Sequence, residues 1–196
     1  LKAIIHPNVQ VIKTNLSKHY SRVLQKIHND YLQRLSALSN LKVLNIRPPM
    51  EICSNALFPA SLEKLTIENV GVSDLLLENL ARTCRKLKYL NVNGNWSVTN
   101  KSLESISSFA CLKTLCIAYT SICGPGLLTL FELLRMNQNG KPLLRRLEYN
   151  SFITSPFNYL FSNCPEIEHL VILSAYKRHY NYLSEENSCK EIGLHL

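Results

Sequence analysis

The sequence predicts an α/β solenoid. Short parallel strands stack in chain order, and a helix or turn returns the chain after each strand. Three observations lead there. Leucine makes up 34 of 196 residues, an excess that prompts a search for repeats. A six-residue apolar pattern recurs at steps of 21, 25, 25, 32 and 23 residues. A second apolar pattern follows the first in fixed phase.

The first pattern reads apolar, two variable, apolar, one variable, apolar. Its clearest copies are Leu41-Lys-Val-Leu44-Asn-Ile46, Leu62-Glu-Lys-Leu65-Thr-Ile67, Leu87-Lys-Tyr-Leu90-Asn-Val92 and Leu112-Lys-Thr-Leu115-Cys-Ile117. Looser copies start at Leu144 and Ile167, and a weak early one runs from Val9 to Thr14. The alternation in each copy predicts a strand with its apolar side chains on one face. Most steps fall in the range of about 20–29 residues of leucine-rich repeats.

The second pattern predicts the helices. Val72, Leu77 and Leu80 are spaced five and then three, as are Val98, Leu103 and Ile106, and Ile122, Leu127 and Leu130. Phe152, Phe157 and Leu160 repeat the spacing. The last two residues of each set share a helix face. Ser73 and Thr99 stand where they can cap. Gly124-Pro125-Gly126 opens a longer helix from about 125 to 136, with proline near its first turn. The 21-residue step carries Pro48, Pro49 and Pro59, so a turn segment is expected there in place of a helix. Because one strand-plus-helix unit cannot hide its own apolar side, the units stack. The expected architecture is a right-handed leucine-rich-repeat solenoid, with parallel strands on the concave face and helices on the convex face. Residues 1–40 read as a basic helical or capping segment, with a helix over 17–38. The repeats occupy 41–175, and 176–196 read as a cap or disordered tail.

Composition excludes several classes. With 46% hydrophobic and 18% charged residues, the chain is not disordered. Six glycines exclude collagen-like sequence. No apolar run is long enough for a membrane-spanning helix. The chain starts at Leu1 with no apolar signal-peptide core, and reads as a piece of a longer protein. Seven cysteines with no C-x-x-C pair point to reduced thiols, and so to a cytoplasmic or nuclear protein. The six histidines have no metal-ligand spacing, and no nucleophile elbow or glycine-rich phosphate loop occurs. No catalytic, cofactor or metal site is expected. Residues 1–47 carry eight basic residues and one acid. Such a face can attract acidic partners or nucleic acid. No aromatic-interleaved basic motif accompanies it, so nucleic acid is not the expected partner, nor is a membrane.

Residues 72–118 resemble the cysteine-containing type of leucine-rich repeat, whose fold is the ribonuclease-inhibitor-like horseshoe. Cys84-Arg-Lys-Leu87-Lys-Tyr-Leu90-Asn-Val92 leads to Val98-Thr99-Asn100. Val72-Ser73-Asp74 opens the preceding helix, and Cys164-Pro-Glu-Ile167 repeats the cysteine spacing. Cys111 departs from it by directly preceding Leu112, and the Asn expected after each strand stands only at Asn95. The type is typical of F-box/leucine-rich-repeat proteins. The resemblance implies a substrate receptor of an SCF ubiquitin ligase, reaching Skp1 and cullin through an N-terminal F-box. No F-box-like segment occurs in residues 1–40, so the F-box would precede Leu1. The alternative is a leucine-rich-repeat scaffold or regulator with no ligase.

The candidate site follows from the strand alternation. The third, fifth and seventh positions of each motif point away from the core and line a concave face. The residues expected to bind a partner protein there are Asn45, Arg47, Lys64, Glu68, Tyr89, Asn91, Asn93, Arg146 and Glu148, with Tyr119 on the rim beside Trp96. Tyr and Arg commonly anchor interfaces. Cys84 and Cys164 are expected to be buried thiols, and Cys116 an accessible one.

Overall fold

The computed structural model of the chain describes residues 8–13, 34–46, 52–151, 167–174 and 190–193. Its strands are β1 (Val11–Lys13), β2 (Val43–Ile46), β3 (Lys64–Ile67), β4 (Tyr89–Asn91), β5 (Thr114–Cys116), β6 (Arg146–Ser151), β7 (His169–Ser174) and β8 (Lys190–Gly193). They form one sheet in chain order. The first seven strands are parallel, and β8 runs antiparallel to β7.

The register follows the repeat. The leucines at the fourth motif position, Leu44, Leu65, Leu90, Leu115, Leu147 and Leu170, pair strand to strand. The weak early copy joins them, because Ile12 pairs with Leu44. Leu44, Leu65, Leu90, Leu115 and Leu147 are fully buried. A one-residue slip would turn every one of these leucines to the opposite face, so burial fixes the register.

Among the described residues, three helices join the strands. α1 (Asp74–Thr83) is capped by Ser73, whose hydroxyl accepts from the Leu76 amide. Asp74 stands in its first turn and Arg82 in its last, both favourable to the helix dipole. Thr99 caps a 3-10 turn, Asn100–Ser102, which runs into α2 (Leu103–Ser107). α3 (Gly124–Asn137) opens with proline in its first turn, where the missing amide hydrogen has no helical partner in any case. Leu77 and Leu80, Leu103 and Ile106, and Leu127 and Leu130 are all buried in one core with the strand leucines. The helices therefore cover one face of the sheet, here called the core face. The other is the polar face.

The short step before β3 contains no helix among its described residues. The described residues 52–63 form turns, with Phe58 and Leu62 buried. The helix expected over 17–38 lies outside the described residues up to Tyr31-Leu32-Gln33. At its end Leu35 and Leu38 are buried. Most of the 176–196 tail also lies outside them, as does the set Phe152, Phe157 and Leu160. The reversed strand β8 was not legible in the tail. An edge strand offers backbone groups to any neighbouring segment, and Lys190-Glu-Ile-Gly193 carries no copy of the motif.

Candidate functional site

On the polar face the third motif positions form one row and the fifth positions another. Val43, Lys64, Tyr89, Thr114, Arg146 and His169 pair in sequence across the first row. Asn45, Thr66, Asn91, Cys116 and Glu148 pair across the second. The register thus brings Asn45, Lys64, Tyr89, Asn91, Arg146 and Glu148 onto one surface. Glu68 follows β3 directly and is half-buried. Arg47 lies outside the described residues.

The side chains on this face hold one another. The Lys64 ammonium sits 4.2 Å from the centre of the Tyr89 ring, a cation–π contact. The Tyr89 hydroxyl lies 3.8 Å from the Cys116 sulfur. Asn93 Nδ2 donates to Glu148 Oε1, and the Asn93 amide donates to Asn91 Oδ1 at 2.9 Å. Burial pushes the Cys116 thiol up to about 12, with the Glu148 charge adding to the effect. Burial, then the neighbouring Cys116, also raises the Tyr89 hydroxyl.

Two expectations about exposure change. Cys116 points to the polar face as expected, yet it is only 2% exposed. Its row neighbour Glu148, with Tyr89 and Arg146 from the adjoining row, surrounds the thiol. Tyr119, expected on the rim, is 8% exposed. Its backbone is left-handed (φ 56°), as at Asn69 (φ 54°) and Gly94 (φ 74°). These three residues stand 25 apart, at one turn position of successive units. The turn thus fixes the Tyr119 backbone, and the ring packs inward. Asn93 is also buried, with its Oδ1 accepting from the Ala118 amide at 2.7 Å. Trp96 stays on the surface, 62% exposed.

Beyond the strand ends lies a lattice of amide bonds. Asn95 Oδ1 accepts from the Val70 and Val72 amides, each at 3.0 Å. Asn95 Nδ2 donates to the carbonyls of Ile67 (2.8 Å) and Val92 (2.7 Å). One side chain thereby ties two consecutive units. The matching residue 25 positions on is Thr120, whose hydroxyl stays within its own loop, donating to the Ile117 carbonyl at 2.8 Å. Asp74 reaches the next unit, accepting from the Thr99 amide and hydroxyl at 2.7 Å each.

Cys84 is fully buried, as expected, with its thiol against the Pro59 carbonyl. Cys164 lies outside the described residues. Cys53 and Cys123 are exposed. Among the described residues, no three His, Cys, Asp or Glu side chains gather to hold a metal ion, and no helix is long and apolar enough to cross a membrane. The site is therefore a wide surface of polar and aromatic side chains. The strand alternation located it, but not which of its members are covered by their neighbours. No protein-family model matches the chain, and no curated protein is significantly similar to it.

Proposed function

We propose that the chain is a leucine-rich-repeat recognition domain, a right-handed arc whose concave polar face binds a protein and performs no chemistry of its own. The observation that carries this reading is the unbroken register that lines up Lys64, Tyr89 and Arg146 beside Asn91 and Glu148. Tyr and Arg are the residues that most often anchor protein interfaces. Their contacts with Lys64, Cys116 and Asn93 hold much of the face in place before a partner arrives. Ordered side chains lose less freedom on binding. The bound protein would be presented for ubiquitylation by an SCF ligase, with Skp1 and cullin reached through an F-box. That part rests on the resemblance of Val72–Asp74, Cys84–Asn100 and Cys164–Ile167 to the F-box/leucine-rich-repeat family.

The test is affinity purification of the complete native protein, tagged at its C terminus, with mass spectrometry of its partners. Stoichiometric Skp1 and cullin are the expected result. A stable partner without them would make the protein a scaffold. The double variant Lys64→Glu/Arg146→Glu should weaken capture of the partner at least about tenfold while leaving the unfolding midpoint nearly unchanged. Equal loss from alanine at Glu78 and Lys101, on the helical side, would overturn the assignment of the polar face.

A further inference from the structure

The turns that lead into the strands differ sharply in charge from those that lead out. The described residues of the turns entering β2 to β7 include seven basic side chains and two acidic ones, a net charge of +5. Those leaving β3, β4 and β5 hold a single charged residue, Glu68. The basic side is a continuous row. The amide of Glu63 donates to the Lys42 carbonyl, Lys88 to Glu63, Lys113 to Lys88, Arg145 to Lys113 and Glu168 to Arg145, all at 2.8 to 2.9 Å. Six neighbouring strands thus carry Lys, Glu, Lys, Lys, Arg and Glu side by side along one edge of the sheet.

Two of the cations are already paired. Lys88 lies 2.7 Å from Glu63, and Arg145 lies 3.4 Å from Glu168. Lys42 and Lys113 are exposed and have no acidic partner within salt-bridge distance among the described residues. The field is felt at Glu63, whose carboxyl is held below its usual range by its bond to Lys88, with Lys42 and Lys86 adding to the effect. Neighbouring strands are about 4.8 Å apart, and charges are screened over about 8 Å at physiological ionic strength. Adjacent cations in the row therefore act together. The helix C-termini, which lie on this side, each supply at most about half a negative charge. Three of them do not neutralise the edge.

We propose that this edge docks an acidic segment of a partner protein, an inference that rests on the reading of the chain as a protein-binding domain. Carboxylates would meet Lys113 in the row and Lys86, exposed in the turn just before Lys88, with Lys42 three strands away from Lys113. The chemistry favours a protein over a nucleic acid. Glu63 and Glu168 act alike on phosphates and carboxylates, so base stacking decides between the two partners. A single strand needs exposed aromatic rings for its bases. The edge offers none among the described residues, since Phe109 is buried and the Tyr89 ring lies under Lys64.

Fluorescence anisotropy on the full chain tests this, with labelled decaglutamate and labelled decathymidylate as probes over a range of salt. Decaglutamate should bind, and Lys86→Glu/Lys113→Glu should weaken it at least about tenfold. The control Lys13→Glu/Lys101→Glu, which changes net charge equally away from the edge, should change it less than about twofold. Equal loss in both variants would reduce the effect to net charge and overturn the proposal. So would absent binding, or tighter binding of decathymidylate with the same sensitivity to the edge. Loss of decaglutamate in Lys64→Glu/Arg146→Glu, but not in the edge variant, would move the site to the polar face. That result overturns the edge while sparing the protein-binding reading. Failure to capture any partner through the polar face would leave the peptide result standing by itself.

Discussion

Where β3 and β4 end, side-chain amides stitch consecutive units together. Where the strands begin, neighbouring units meet through backbone bonds, exposed ion pairs and single side-chain bonds such as Ser61 to the Leu41 carbonyl and Cys84 to that of Pro59. At the strand ends, Asn95 alone satisfies two amides and two carbonyls of consecutive units, and Asp74 bridges to Thr99. At the strand starts, the side-chain links between units include Lys88 with Glu63 and Arg145 with Glu168, all at least a third exposed. Buried amide bonds are strong in context because leaving one unmade exposes no water to replace it. Exposed ion pairs contribute little because water competes and salt screens them. One edge is therefore built for stability, and the other is free to carry charge.

Removing the amide lattice should have the largest effect. Asn95→Ala leaves the Val70 and Val72 amides buried without an acceptor. At about 1–3 kcal/mol for each unsatisfied group, the loss should be about 3–5 kcal/mol, read from urea unfolding. A loss below about 1 kcal/mol would mean that water replaces the side chain, and the contrast between the edges would fail.

Gly94→Ala should come next. Gly94 has φ +74°, and an added Cβ would stand 1.8 Å from Asn69 Oδ1. The left-handed backbone costs a residue with a Cβ about 1–2 kcal/mol. The Asn69 side chain is exposed and can swing aside, so the total should stay near about 2 kcal/mol. The unfolding midpoint of the purified variant checks this.

Thiol chemistry sharpens the comparison further. Cys123, at the start of α3, is exposed, and Asn100 Nδ2 donates to its sulfur at 2.9 Å. That bond, with help from the Gly126 amide, lowers its thiol. Cys116 is buried, with its thiol pushed up to about 12. With a colorimetric disulfide reagent at mildly alkaline pH, Cys123 should react in the folded chain and Cys116 only after unfolding. Asn100→Ala should slow Cys123 several-fold by removing the donor. An unchanged rate would mean that the bond does not favour the thiolate. The raised Cys116 value has a sign of its own. Its contribution to stability is whole below the ordinary thiol range and falls as pH rises from there towards about 12.

The smallest effect belongs to the charged edge. Glu63 has a lowered carboxyl because of Lys88, so its contribution is present above the ordinary carboxylate range. It is lost as pH falls through the lowered value of the folded chain. Both partners are solvent-exposed, so Glu63→Gln and Lys113→Ala should leave the neutral unfolding midpoint unchanged. Any acid-side difference for Glu63→Gln should vanish in high salt. A midpoint shift as large as that of Gly94→Ala would show that the charged edge also holds the units together.

Much of this was legible residue by residue. The apolar spacing of Leu62-x-x-Leu65-x-Ile67 and its copies states the strand, its core face and its register together, because burial allows only one alignment. Ser73 and Pro125 announced their helix starts through capping and a fixed φ. The charged row was legible too, since a Lys, Arg or Glu follows the first apolar residue of every clear copy. It gained meaning only once those residues proved to be neighbours along one edge.

Sequence alone determined the periodic part of the protein: which side chains are apolar, at what interval, and therefore which stack. That information is local and repeats, so each copy confirms the others. Tertiary structure decided everything that depends on a side chain's reach across units. Asn95 and Thr120 occupy equivalent positions, yet only the longer amide spans to the preceding loop. Cys116 and Tyr119 have the alternation or placement of surface residues, yet larger neighbours and a left-handed turn bury them. Distance across strands, not position along the chain, sets those outcomes, and only the folded sheet specifies it.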